Sequence, residues 1–351
     1  MKFKIFLSSF LALLIFSSVG FAATTKDYKL TAPAGSTNMN YTQNAYNDLG
    51  NLVIEVDSTD TTVTFAASTI VKVKVSYDEN FTLTNGTDSV AYKLVTGPSS
   101  NTTDLPNDNT ITFDVSSKNS ESVKIGAVIT GDSSNISDGD YRSSIKFIGL
   151  PVVGQKNYEF GNFTVNNETV SLDWRVLSVD EANNRALLVT EKAVTQMAYS
   201  SNNSNAWSTS DVKQFLNNET YNNNDAFLKN FTDEEKARIL KVSITDGNDG
   251  QNKNSSEIIA SNQNADNLDY FFLLSKADVQ NGSYFGVDSS NRVCYLLTNP
   301  NQICSWRLRS PGRGDDCVAC VDAGGGVYDS GHYVVLDFIA VRPAVWLDLN
   351  R

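Results

Sequence analysis

Val71-Lys72-Val73-Lys74-Val75 alternates strictly, apolar at every second position and charged between. Side chains on a β-strand project to opposite faces with a period of two, so this stretch can bury three valines while leaving two lysines in water. The same period recurs on either side of it, at Leu52, Ile54 and Val56, at Ile111, Phe113 and Val115, and at Val123, Ile125 and Ala127. Each run predicts a half-buried antiparallel strand. Asn85-Gly86, Gly97-Pro98 and Asp138-Gly139 supply turn chemistry between them. No helical period competes, and an all-β sandwich over about residues 27 to 148 is expected, within a domain of residues 23–150.

Upstream, Lys2 and Lys4 precede an apolar run from Ile5 to Val19, and Gly20-Phe21-Ala22 offers small residues to a peptidase. That pattern predicts a secretory signal peptide over residues 1–22. The run is short for a bilayer span, and Thr24, Thr25, Lys26 and Asp27 give no stop-transfer pattern. We therefore expect cleavage before Ala23 or Thr24, no membrane span afterwards, and a chain exported to a periplasm, to the cell surface or beyond.

The chain carries 28 basic and 40 acidic residues, and loss of Lys2 and Lys4 with the signal leaves 26 against 40, a formal charge of −14. No basic stripe interrupts this acidity, which argues against a nucleic-acid partner, since phosphate recognition relies on clustered Lys and Arg. His332 is the only histidine, which removes HExxH sites and any site with two His ligands. No G-x-S-x-G elbow accompanies it, and the residue reads as an ordinary strand or loop position. Cys294, Cys304, Cys317 and Cys320 fall in one C-terminal window, where export favours two local disulfides. Cys317-Val-Ala-Cys320 also has redox spacing, but without the strand-to-helix start that lowers a thiol's pKa.

The pattern changes near Gly149-Leu150-Pro151. Beyond it, Trp174-Arg175-Val176-Leu177 and Ala186-Leu187-Leu188-Val189 suggest paired strands. Ser208-Thr209-Ser210-Asp211 suggests a capping box before Val212, Phe215 and Leu216. Thr232-Asp233-Glu234-Glu235 opens a second expected helix, with Ala237 and Leu240 on one face, and Ser275-Lys276-Ala277-Asp278 opens a third. Strands and helices in separate runs predict an α+β domain over residues 151–351. The Asn-rich stretches 202–205, 217–224 and 248–254 suggest long surface loops, read here as compositional drift more than as binding loops.

The order of landmarks in this half carries a resemblance. Tyr158-Glu159-Phe160-Gly161, Leu172-Asp173-Trp174-Arg175-Val176-Leu177, and Ala186 to Lys192 come first. Trp207 to Asn217, Asp269 to Ser275, Trp306-Arg307-Leu308-Arg309-Ser310-Pro311-Gly312 and Val341-Arg342-Pro343-Ala344-Val345-Trp346-Leu347 follow. Over about residues 152 to 348 the chain resembles the bacterial family called domain of unknown function 6273. That family looks related to the sulfatase-modifying, formylglycine-generating enzymes, which share a fold with C-type lectins, so the resemblance implies a C-type-lectin-like (sulfatase-modifying-factor-like) domain. On this reading Trp174, Trp207, Trp306, Arg309, Arg342 and Trp346 are structural framework, the guanidinium forks tying loops together. Ser137-Asp138-Gly139-Asp140-Tyr141 leading into Ser143 to Phe147 resembles the last hairpin of bacterial immunoglobulin-like surface domains, which implies a spacer or adhesive first domain.

C-type-lectin-like folds present ligands to loops, and the segment Asp315 to Asp337 is rich in oxygen ligands and glycine. The expected function is binding without catalysis, of an extracellular glycan or protein, through Arg313, Asp315, Asp316, Tyr328 and Asp329. No cofactor is expected. Ca²⁺ would suit this segment and Asp246-Gly247-Asn248-Asp249-Gly250, although neither matches a known calcium register. Arg313-Gly314-Asp315 is also the tripeptide of integrin ligands. The alternatives are an extracytoplasmic oxidase using Cys317 and Cys320, as the formylglycine-generating enzymes use a cysteine pair, and a structural envelope component.

Overall fold

The computed structural model describes residues 28–35, 40, 42–56, 70–77, 81–115, 120–132, 141, 143–165, 168–222 and 224–350. The signal peptide, the Asp138-Gly139 turn and most of the Ser137 to Tyr141 hairpin lie outside them. The chain divides into two compact units, one ending at Val152 and one beginning at Val153.

In the first unit the period-two runs become strands: β1 (Tyr28–Thr31), β2 (Tyr46–Val56), β3 (Ile70–Tyr77), β4 (Thr82–Thr84), β5 (Ser89–Thr96), β6 (Thr103–Asp104), β7 (Thr110–Asp114), β8 (Ser120–Ile129) and β9 (Ile145–Gly149). One sheet runs β1-β2-β8-β5-β4 with β6 beside β5, and a second runs β7-β3-β9. Val71, Val73 and Val75 from the second sheet share one buried cluster with Leu52, Ile54, Leu94, Ile125 and Ala127 from the first. Full burial of each such side chain contributes about 1.5–3 kcal/mol, which fixes the register because a one-residue slip would turn the set into water. Asn85-Gly86 forms the predicted turn between β4 and β5: the Asn85 side chain accepts Thr87 N at 2.9 Å and Asp88 N at 2.7 Å.

The second unit contains β10 (Tyr158–Val165), β11 (Glu168–Asp180), β12 (Arg185–Thr190), β13 (Thr195–Gln196), α1 (Asp211–Asn217), β14 (Thr220–Tyr221), β15 (Asn224–Asp225), α2 (Asp233–Ala237), β16 (Ile239–Leu240), α3 (Asn248–Asn252), α4 (Lys276–Val279) and α5 (Gly282–Phe285). The chain then gives β17 (Cys294–Tyr295), β18 (Ile303–Cys304), β19 (Trp306–Pro311), β20 (Cys317–Val321), β21 (Val327–Tyr333), β22 (Ala340–Val341) and β23 (Ala344–Asp348). One five-stranded sheet is ordered β10-β11-β12-β23-β16 and another β13-β22-β19-β20-β21. Ala186 to Thr190 in β12 and Ala344 to Leu347 in β23 are buried at every position, so both strands are covered on both faces and carry no alternation.

All four tryptophans are buried here, and each indole N–H has a partner. Trp174 donates to Phe160 O at 2.7 Å, Trp207 to Asp269 Oδ2 at 2.7 Å, Trp306 to Arg292 O at 3.0 Å and Trp346 to Ser255 O at 2.9 Å. An indole can be buried without loss only when that donor is satisfied, so these contacts fix four distant segments to the core.

The helix starts are partly as expected. Thr232 with Glu235 and Ser275 with Asp278 form reciprocal capping boxes. Ser210 caps α1 alone, because Lys213 stands where the box needs a carboxylate, and Trp207–Thr209 form a 3-10 turn. The second helix ends at Ala237, so Leu240 packs from β16 and not from a helical face. The Asn-rich stretches also need correction. Asn217 accepts Tyr270 N at 2.7 Å and Phe271 N at 3.0 Å and donates to Phe271 O at 2.9 Å, a specific bracket between α1 and the segment before α4.

Candidate functional site

The edge strand β21 concentrates the exposed chemistry of the second unit. It pairs with β20 through Cys317↔Tyr333, Val318↔His332, Cys320↔Tyr328 and Val321↔Val327. Ala319 thus faces the whole of Asp329-Ser330-Gly331, and β21 bulges outward there. Gly331 permits this: its φ is +69°, and a Cβ would lie 2.1 Å from Val318 O. Bulges of this kind re-aim side chains at sheet edges.

Tyr328 is 42% exposed, Tyr333 45% and Phe338 56%. The Tyr328 ring lies 5.2 Å from that of His332. Arg313 donates to Tyr333 Oη at 3.0 Å and sits 5.4 Å from that ring. Arg313 N also donates to Ser330 O at 3.0 Å, joining the 312–316 loop to the bulge. Asp329 is exposed, with Lys276 Nζ 3.8 Å away.

The scaffold beneath is tied together by hydrogen bonds. Arg307 reaches from β19 and donates to Tyr333 O at 3.1 Å and Leu336 O at 2.7 Å. Burial lowers its pKa to about 10, and burial together with this guanidinium holds the His332 imidazole below its usual range. The Asn205 side chain donates to Gly314 O at 3.1 Å and to Cys317 O at 3.3 Å, and its backbone N donates to Asp315 O at 2.7 Å. Neither Arg307 nor Asn205 stood out in the sequence. Asn205 sat in a run read as drift, and only the 314–317 segment it holds shows its use.

Four of the five expected ligand-binding residues are presented at this edge. Arg313, Asp315, Tyr328 and Asp329 are exposed, and Asp316 is half-buried with its carboxylate 3.4 Å from the Cys317 sulfur. Within Arg313-Gly314-Asp315, the guanidinium is occupied by Tyr333. Asp322 and, in the other acidic segment, Asp246 are engaged by neighbouring groups. Asp322 accepts Gly324 N at 2.9 Å and Gly326 N at 2.8 Å to close its own hairpin, and Asp246 accepts Ser208 N at 2.9 Å. Among the described residues no three His, Cys, Asp or Glu side chains come close enough to hold a metal ion.

The framework arginines lie deep. Arg309 is fully enclosed, donating to Leu273 O at 2.6 Å, to Asp278 Oδ2 at 3.2 Å and to Lys253 O. Arg342 donates to Thr190 O at 2.7 Å and lies 4.9 Å from the Trp306 ring.

The two expected disulfides are not formed: all four cysteines are free and buried. Cys317 and Cys320 lie three residues apart on one strand, so their Cα atoms stand about 10 Å apart, beyond the reach of a bridge. Burial raises the Cys320 thiol to about 11, and burial with the Asp316 carboxylate raises that of Cys317, against the pull of Arg313. Cys294 and Cys304, in contrast, are direct cross-strand partners.

Residues 183–349 match the family model described as Domain of unknown function (DUF6273). The match begins after β11, so β10 and β11, the first two strands of the sheet β10-β11-β12-β23-β16, precede it. No curated protein and no solved structure matches the chain.

Proposed function

We propose that this protein is an exported, non-catalytic binding protein whose second unit, with a C-type-lectin-like fold, holds a neutral glycan polymer against β21, while an immunoglobulin-like first unit serves as spacer. The observation that carries this reading is the pair of half-exposed tyrosines on a bulged edge strand, flanked by Arg313, Ser330 and Asp329. A tyrosine ring offers an apolar face to the C–H groups of a pyranose and a hydroxyl to its oxygens, and it loses little entropy on binding. The flanking charged and hydroxyl groups supply the polar contacts that set orientation. The overall acidity disfavours anionic polymers and leaves neutral or N-acetylated chains.

The test is calorimetric titration of the full chain with chitohexaose and cellohexaose, followed by chromatography of the sugar. The expected result is saturable binding to one of them with the sugar recovered intact. Tyr328→Ala should weaken it by roughly tenfold or more, as a central aromatic anchor does. Equal binding by Tyr328→Ala and Tyr333→Ala, or a shortened sugar, overturns the reading.

A further inference from the structure

A second cluster gathers two thiols and two buried cations around a single carboxylate. β17 and β18 pair antiparallel with Cys294 directly opposite Cys304. Opposed residues of such a pair have Cα atoms about 4.5–5.5 Å apart, within the range a disulfide spans. Cys304 Sγ lies 3.5 Å from Cys294 O, and Cys294 Sγ lies 3.8 Å from Glu191 O.

The charges around this pair do not balance. Glu191 receives Arg175 in a bidentate pair, Nε at 2.8 Å and Nη2 at 2.7 Å. The same carboxylate is the nearest counter-charge of Arg342, at 3.7 Å. Two buried guanidiniums therefore share one carboxylate, and among the described residues Arg342 Nη1 has no hydrogen-bond partner. An unpaired charge in such a setting is costly, and an anion beside Arg342 would remove the excess. The Cys294 sulfur is near enough for its charge and that of Arg342 to act on each other, and as a thiolate it would provide that anion.

We propose that Cys294 and Cys304 are a reversible dithiol–disulfide couple, Cys294 the attacking thiolate and Cys304 the resolving thiol, open to exchange with small disulfides such as oxidised glutathione. The electrostatics agree: burial pushes the Cys294 thiol up, but Cys304 and Arg342 outweigh it and bring it down to about 7, while the Cys304 thiol is raised by its neighbour Cys294 and by burial. In the first step the Cys294 thiolate attacks one sulfur of the small disulfide, forming a mixed disulfide and expelling one small thiolate. Cys304 gives its proton to that thiolate. The Cys304 sulfur then attacks Cys294 Sγ, closing the protein bridge and releasing the second small thiolate. Two electrons pass from the protein dithiol to the small disulfide. Both thiols are buried, and access comes through local opening of a ladder two residues long beside the exposed stretch 298–303.

Because Arg342 stabilises the thiolate, the reduced state is favoured and the bridge is readily reduced, unlike a structural disulfide. The test begins with the native full chain, pulse-alkylated between pH 5 and 9 and mapped by mass spectrometry. Cys294 is expected to label first, with a midpoint near 7. Oxidised glutathione should then yield a Cys294–Cys304 linked peptide that millimolar reduced glutathione reverses, and Cys304→Ser should trap glutathione on Cys294. Labelling of Cys294 no faster than Cys317 and Cys320, or a Cys294–Cys304 bridge that resists glutathione, overturns the proposal.

Discussion

Replacing Arg309 by methionine removes the cation of a pair that is enclosed on both sides, since neither its side chain nor that of Asp278 is exposed. The carboxylate left behind keeps Ser255 N, Ser255 Oγ and Ser275 N, each at 2.7 Å, but loses its only ion-pair partner among the described residues. The carbonyls of Leu273 and Lys253 lose their guanidinium donors as well. Breaking one side of a buried pair costs about 3–5 kcal/mol, because a charge remains without compensation. With a urea dependence of about 2 kcal/mol per molar, the unfolding midpoint falls by roughly 2 M. Tryptophan fluorescence is a selective probe, because all four tryptophans, Trp174, Trp207, Trp306 and Trp346, lie in the second unit. Arg309→Lys keeps the charge but not the fork and should fall between the two. A loss below about 1 kcal/mol for Arg309→Met would refute the reasoning, since that is the range of exposed pairs.

Two further outcomes follow from the backbone and from charge. Glu159 stands directly opposite Asp173 across β10 and β11, and burial first, then that neighbour, raises its pKa from 4.5 to about 7. The folded state therefore prefers the protonated acid, and the stability this gives is lost as pH rises from about 4.5 to about 7. Glu159→Gln should match the wild type at pH 4 and exceed it at pH 8 by on the order of 1 kcal/mol, a figure discounted for the solvent that reaches this half-buried side chain. Urea midpoints at both pH values check the sign. Gly331→Ala forces a side chain into positive φ and against Val318 O, and should cost about 2 kcal/mol or more while altering the near-ultraviolet signal of Tyr328 and Tyr333.

The legible part of the sequence was the part with a period. Val71, Val73 and Val75 declared one buried face, and Thr232 and Ser275 declared helix starts, because these signals depend on neighbours in sequence. β12 and β23 are buried on both faces, so Ala186 to Val189 offers an apolar run without alternation. The edge site was legible only as a list of types: Arg313, Tyr328 and Asp329 were visible, but Gly331, which makes the bulge, was one glycine among 21. Cysteine spacing misled, because Cys317 and Cys320 are near in sequence and held apart by an extended strand. Cys294 and Cys304 are farther apart in sequence and set face to face by a hairpin. Arg342 and Glu191 reach that pair only through tertiary packing, which no local pattern encodes.

The central claim, a ligand held against β21, is tested most directly by hydrogen–deuterium exchange of the full chain with and without chitohexaose. The account predicts slower exchange over residues 313–316 and 328–334, with the first unit unchanged. Protection confined to the first unit, or no change in the second at saturating chitohexaose and cellohexaose, would contradict it.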